Sequence, residues 1–173
     1  IIWEKGTNRS QYFRGQVDKY TWVDIGSSFL PSELIASFLY AQLEEAEKII
    51  AKRYSIFQRY MKQLRPLEHK GYIRLPYVDD YCKSNGHIFY ILTDRIEIRD
   101  ALIKRFKEND ILAVFHYVPL HSSPAGVKYG RTGSTMKVTD DTSDRLLRLP
   151  LYFEMTDKDV DKVSDTLFSF FSQ

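Results

Sequence analysis

Two imidazoles and a phenol fall within one short run, His116-Tyr117-Val118-Pro119-Leu120-His121. Near the end of a strand, such groups can hold an anion, move a proton or ligate a metal. Packing is the plainer alternative, with His116 a hydrogen-bonded, half-buried residue and Tyr117 a wall. No carboxylate cluster accompanies the pair in sequence, which leaves a metal-hydrolase reading short of ligands. Arg9 and Arg14 stand among Asn8, Ser10, Gln11 and Tyr12. Guanidinium forks beside small polar groups suit a phosphate or pyrophosphate, with ordinary surface charge as the rival. Gly26-Ser27-Ser28 precedes a helix, where hydroxyls and free N–H groups favour phosphate or simply cap the helix. Asp79, Asp80, Asp140 and Asp141 read as solvated turns rather than acid–base pairs. The chain has no Walker loop, dinucleotide fingerprint or serine-nucleophile elbow.

The elements that must position these groups are readable from periodicity. No Gly or Pro interrupts residues 32–65, and apolar side chains from Leu34 to Leu64 recur at spacings of three and four. That pattern predicts one long helix opening at Pro31, or two with a bend, ending near Pro66. Tyr72–Leu75 predicts a strand, and His87–Leu92, apolar on both faces, an interior one. Glu97–Lys107 predicts a helix capped by Asp94, and Ile111–Val118 another strand. Residues 119–143 read as a polar loop. Leu146–Phe153, which carries Pro150, reads as an edge strand or extended segment. Thr156 with Asp159 predicts a capping box ahead of a last helix buried along Val160, Val163, Leu167, Phe170 and Phe171. The class is α+β: a domain over residues 31–173, preceded by an irregular arm over residues 1–30.

Composition narrows the function classes. Of 173 residues, 43% are hydrophobic and 14% aromatic, too many for a disordered tail. The net charge of +2 is spread evenly along the chain, so a nucleic-acid partner is not expected, although a small anionic ligand is compatible. Cys82 is the single cysteine, which excludes an internal disulfide and suits a cytoplasmic setting. No apolar run approaches a membrane span of roughly 18–20 residues. Ile1–Lys5 before Gly6 reads as the tail of a helix that begins elsewhere, so the chain is expected to be a fragment.

The run Glu4-Lys5-Gly6-Thr7-Asn8-Arg9-Ser10, continuing through Phe13-Arg14-Gly15-Gln16-Val17-Asp18-Lys19-Tyr20-Thr21-Trp22 to Asp24-Ile25-Gly26-Ser27-Ser28, resembles the DegT/DnrJ/EryC1/StrS sugar-nucleotide aminotransferases. Ala113–Tyr117, Pro119–His121, Pro124–Gly126 and Arg145–Leu151 continue the likeness. It implies the C-terminal small domain of a fold-type I pyridoxal-phosphate enzyme, working as a homodimer on a dTDP-sugar with glutamate as amino donor. The cofactor would be pyridoxal 5'-phosphate. Its Schiff-base lysine is expected upstream, since Lys5, Lys19, Lys48 and Lys52 lie in no matching context, so the chain alone is expected to be inactive. By the same resemblance, Ser28 would contact the phosphate of the partner subunit's cofactor. His116, Tyr117 and His121 would face the substrate, and Arg9 and Arg14 its pyrophosphate or the dimer contact. Against the family's Gly-x-Asn-Tyr-Arg-Met segment, Ser28 stands for Asn, Leu30 for Arg and Pro31 for Met. A non-catalytic nucleotide-sugar-binding or dimerisation module is the alternative reading.

Overall fold

The computed structural model describes residues 6–19, 21–27, 29 and 31–172. The expected helix tail at residues 1–5 and the phosphate contact expected at Ser28 lie outside them. The chain divides into two compact units that meet in sequence at Ala46 and Glu47.

In the first unit the expected irregular arm is more ordered than its lack of periodicity implied. It carries a short helix, α1 (Arg9–Phe13), and an antiparallel bridge between Thr7 and Trp22. Asn8 closes the loop, accepting from Thr21 N at 2.7 Å through its side chain while its own N–H donates to Thr21 O. Gly6, at φ 71°, lets the chain cross itself: a Cβ there would come 2.0 Å from Asp24 O. These contacts are long-range in sequence, so no periodicity announces them. The first long helix, α2 (Glu33–Glu44), starts two residues later than expected. Ser32 caps it by accepting from Ile35 N, and Pro31 precedes the cap. It buries none of its residues; Leu34, Phe38 and Leu43 are all exposed.

Of the two expected forms, one long helix or two with a bend, the structure has two helices, broken at Glu45. The second, α3 (Ala46–His69), runs through Pro66 rather than stopping there. Pro66 removes one backbone donor, but the apolar stripe Ile56, Phe57, Tyr60, Leu64, Leu67 continues past it and holds the last turn to the core. The helix ends at Gly71, φ 75°, where Tyr72 N bonds Leu67 O and Gly71 N bonds Glu68 O, a Schellman closure.

Four antiparallel strands follow, interleaved with helices: β1 (Ile73–Arg74), β2 (Phe89–Thr93), α4 (Ile96–Glu108), β3 (Val114–Phe115), α5 (Pro124–Tyr129), α6 (Lys137–Arg145), β4 (Leu146–Leu149) and α7 (Asp157–Phe171). The sheet order is β1-β2-β4-β3. β2 is interior, as its two apolar faces required. β4 is interior too, against the edge position that Pro150 suggested. Pro150 lies just beyond the ladder and offers its carbonyl to Tyr60 Oη at 3.0 Å. Only two residues of the strand expected at Ile111–Val118 join the ladder. Arg95 rather than Asp94 is the N-cap of α4, and it makes no side-chain cap bond. The expected loop at 119–143 holds a 3-10 turn at Leu120–Ser122 and the helices α5 and α6. The capping box of Thr156 and Asp159 on α7 is present in full.

The core lies between one sheet face and the helices. Phe89, Ile91, Leu147 and Leu149 point into it from alternate strand positions, against Tyr60, Leu64, Leu102, Phe106, Val160 and Leu167. Among the described residues no helix is long and apolar enough to cross a membrane.

Candidate functional site

Strand alternation that buries Leu147 and Leu149 turns Leu146 and Arg148 to the opposite face of the sheet. In the antiparallel register Arg148 pairs with Tyr90 on β2 and Val114 on β3. His116, two residues beyond Val114, continues that row. Here the sheet lines a cavity of about 310 Å³ with Tyr90, His116, Leu146 and Arg148 on its walls. The segment after β1 supplies further walls, including Val78, Asn85 and His87.

That segment is fixed by close backbone approach. Gly86, φ 59°, lies against α3 so tightly that a Cβ would be 2.9 Å from backbone atoms of Arg53 and Tyr54. Arg53 Nη2 donates to His87 O at 2.6 Å, and His87 Nδ1 is 2.8 Å from Asn85 Oδ1. An acceptor oxygen at that distance keeps a proton on Nδ1 and orients the His87 ring.

His116 is half-buried, and among the described residues its Nδ1 is buried without a hydrogen-bond partner. The plainer alternative, a half-buried histidine satisfied by hydrogen bonds, is therefore not met at Nδ1. Tyr117 packs edge-on against it at 4.9 Å between centroids, yet is itself 78% exposed. Tyr117 is anchored through its backbone, whose carbonyl accepts from Ser143 Oγ on α6 at 3.1 Å.

His121 sits on the 3-10 turn, in a second cavity of about 440 Å³ with Gly126, Val127 and Arg131. Its Nε2 is 2.9 Å from Asp140 Oδ1. A carboxylate beside Nε2 holds the proton there and leaves Nδ1 as the acceptor of the neutral ring. The turn is held by Ser123, whose hydroxyl donates to Leu120 O at 2.7 Å and accepts from Gly126 N at 3.1 Å as the cap of α5. Gly126 is required by contact alone, since a Cβ would be 1.7 Å from Leu120 O.

Asp140 thus corrects the reading of the Asp140-Asp141 pair as a solvated turn. Asp140 orients an imidazole, and Asp141 pairs with Arg145 one helical turn on. The two histidines line different cavities, and among the described residues no group of three His, Cys, Asp or Glu is placed to hold a metal. Arg148 and the Asn85–His87 pair were not singled out from sequence. The one available signal was the charge interrupting Leu146–Leu149 at strand period. Arg9 and Arg14 belong to the first unit, where Arg9 stacks over the Phe13 ring at 5.1 Å and Arg14 ends α1 exposed.

Comparison with known proteins gives these sites a context. The chain is 27% identical over 150 residues to dTDP-3-amino-3,4,6-trideoxy-alpha-D-glucose transaminase of Micromonospora megalomicea subsp. nigra, covering 86% of this chain and 39% of that protein. A DegT DnrJ EryC1 StrS aminotransferase from Brucella abortus superimposes with a TM-score of 0.78 at 24% identity, over 95% of this chain and 43% of its own. The sugar aminotransferase Spr1654 from Streptococcus pneumoniae, in its PLP-form, matches with a TM-score of 0.77 at 19% identity, over 98% of this chain and 41% of its own. The chain spans about two fifths of the length of the curated relatives it matches. The likenesses fix the fold as the α+β C-terminal portion expected. The model of the DegT/DnrJ/EryC1/StrS aminotransferase family matches residues 4–168, and the chain belongs to that family.

Proposed function

We propose that this chain is the C-terminal portion of a pyridoxal-phosphate-dependent sugar-nucleotide transaminase that works as a cytoplasmic homodimer. In this reading glutamate donates the amino group, and dTDP-4-keto-6-deoxyglucose accepts it to give dTDP-4-amino-4,6-dideoxygalactose. Family membership supports an aminotransferase, and a relative whose name states a dTDP-amino sugar supports the nucleotide-sugar class. The resemblance of residues 4–28 carries the finer choice of sugar.

The observation that carries the role of this chain is the His121–Asp140 pair, on the turn that follows His116 and Tyr117 in the chain. A carboxylate-oriented imidazole on a turn fixed by Gly126 is a rigid hydrogen-bonding group. It suits binding and orienting a polar sugar or phosphate rather than packing. Tyr117, exposed and packed edge-on against the His116 ring, is a further proposed aromatic contact for the sugar nucleotide. Arg9 and Arg14 remain proposed contacts for the pyrophosphate or the second subunit, and Ser28 for the partner's cofactor phosphate.

The described residues do not by themselves complete a pyridoxal phosphate site. No lysine lines either histidine-bearing cavity. No step through the cofactor is assigned to this chain, whose part is to bind and orient substrate. The apolar surface exposed on α2 at Leu34, Phe38 and Leu43 supports a chain that works with further protein against it. The second reading is a non-catalytic nucleotide-sugar-binding or dimerisation module.

The test is product analysis with the intact protein that carries this chain, supplied with pyridoxal phosphate, glutamate and dTDP-4-keto-6-deoxyglucose. The expected product is the 4-amino sugar of galacto configuration, and His121→Ala lowers kcat/KM by about tenfold or more. Unchanged kinetics in His121→Ala remove the role given to that residue. Absence of amination with any dTDP-keto sugar favours the module.

A further inference from the structure

Helix α6 holds two residues of the proposed sugar-nucleotide segment, yet its own sequence does little to make it a helix. It is nine residues long and buries none of them. Residues 138–144 are Val, Thr, Asp and Ser alone, all weak helix formers. A helix shorter than about 12 residues is marginal in water even when built from good formers. Met136, at its N-cap, makes no side-chain cap bond. Helix α6 therefore depends on its tertiary contacts.

Those contacts are polar and tie it to two different places. On the site side, Asp140 Oδ1 lies 2.9 Å from His121 Nε2, and Ser143 Oγ, about one turn on, donates to Tyr117 O at 3.1 Å. On the sheet side, Arg145 Nη1 donates to Thr93 O at 3.1 Å. The Thr93 hydroxyl shares its proton between the carbonyls of Arg145, at 3.2 Å, and Arg95, at 3.0 Å. Thr93 ends the interior strand β2 and is 1% exposed. It lines neither histidine-bearing cavity. The anchor is thus rigid and buried, whereas the segment at the other side of α6 leaves the sheet ladder after Phe115.

We propose that Thr93 and Arg145 are positioning residues, which through α6 set where Tyr117 and His121 stand. A helix without an apolar anchor opens locally at low cost, and it opens more readily when one of its few tethers is removed. Opening it releases the Asp140 and Ser143 contacts together, because both lie on the same turn. Linkage makes the effect reciprocal: a ligand that engages Tyr117 and His121 stabilises α6. The inference rests on the transaminase reading for the identity of that ligand only.

The experiment follows amide hydrogen exchange over residues 137–145 and 116–121 of the intact protein, with and without dTDP, beside isothermal titration of dTDP and melting curves. Thr93→Val and Arg145→Gln are each expected to speed exchange in both segments and to weaken dTDP binding about fivefold or more. Thr93→Ser, which keeps the hydroxyl, restores both. In the wild type dTDP slows exchange over 137–145. Tyr60→Phe loses a buried hydroxyl bond elsewhere in the same core, and it lowers the melting midpoint while leaving both segments and dTDP affinity unchanged. Arg145 is half-buried, so Arg145→Gln decides the matter if Thr93→Val does not fold. The proposal is overturned if exchange over 116–121 stays at the wild-type rate in these variants, or if Tyr60→Phe weakens dTDP binding as much as they do. Failure of the transaminase reading looks different: the wild type then binds no dTDP, while Thr93→Val and Arg145→Gln still loosen both segments.

Discussion

Asp140 gives His121 an orientation that its place in the chain does not reveal. With Nε2 held at 2.9 Å from the carboxylate, the ring presents Nδ1 as an acceptor in a fixed direction. Asp140→Ala is therefore expected to weaken sugar-nucleotide affinity in the intact protein by several-fold while leaving the fold unchanged. Isothermal titration of dTDP with matched melting curves measures both. Tyr60 tests a buried residue in the same manner. Its phenol is fully buried, burial pushes its ionisation well above the ordinary value, and its hydroxyl donates to Pro150 O. Tyr60→Phe leaves that carbonyl without its partner and is expected to cost about 1 kcal/mol in urea unfolding. At this scale the sequence was informative where chemistry and spacing coincide, as in His116-Tyr117 and His121. It was silent where the partner arrives from a distant segment. Asp140 lies nineteen residues beyond His121 on a helix that reads as loop, and Arg148 sits in a run whose apolar neighbours suggest packing alone.

Elements were legible when their signals are local. The capping box of α7, the stripe of α3 and the two-faced β2 all follow from residues within a turn or two of each other. The helices α5 and α6 were not. Neither buries a residue, so neither carries an apolar stripe, and what fixes them is capping by Ser123 and contacts of Asp140, Ser143 and Arg145. Gly126→Ala is expected to destabilise the chain by about 1–3 kcal/mol, because the added methyl meets the Leu120 carbonyl and the turn must shift. Loss of the His121–Asp140 coupling in NMR spectra accompanies it. Between α3 and α7, Arg59 Nη2 donates to Asp161 at 2.7 Å and Nη1 to Asp157 at 3.0 Å, while Gln63 donates to Asp161 at 2.6 Å and accepts from Ser164. Hydrogen bonds from Arg59 and then Gln63 hold the Asp161 carboxyl below the usual carboxylate range. Because the folded value is the lower one, this contribution is complete above the ordinary value near pH ~4 and is lost as pH falls through the folded value. Melting temperatures of Arg59→Gln are expected to show a shallower acid limb below about pH 4 than the wild type. An identical limb means that the pair adds nothing to acid stability.

At the scale of the molecule, an amphipathic helix with no buried residue stands out. The exposed apolar row of α2 predicts that the isolated chain self-associates. Phe38→Glu is expected to shift it toward monomer in light scattering, while a melt of the second unit's core stays unchanged. The α+β class was legible from the order of elements, but the division at Ala46 and Glu47 was not, since the helical pattern runs through it almost without interruption. The central claim is that the His116–His121 segment faces the sugar nucleotide in a transaminase of this family. Its most direct measurement is single-turnover amination of dTDP-4-keto-6-deoxyglucose by the intact protein in its pyridoxamine phosphate form, compared between wild type and His121→Ala. The account predicts a sugar half-reaction slowed by about tenfold or more, with the glutamate half-reaction changed by less than about twofold. Equal rates of sugar amination in the two proteins contradict it.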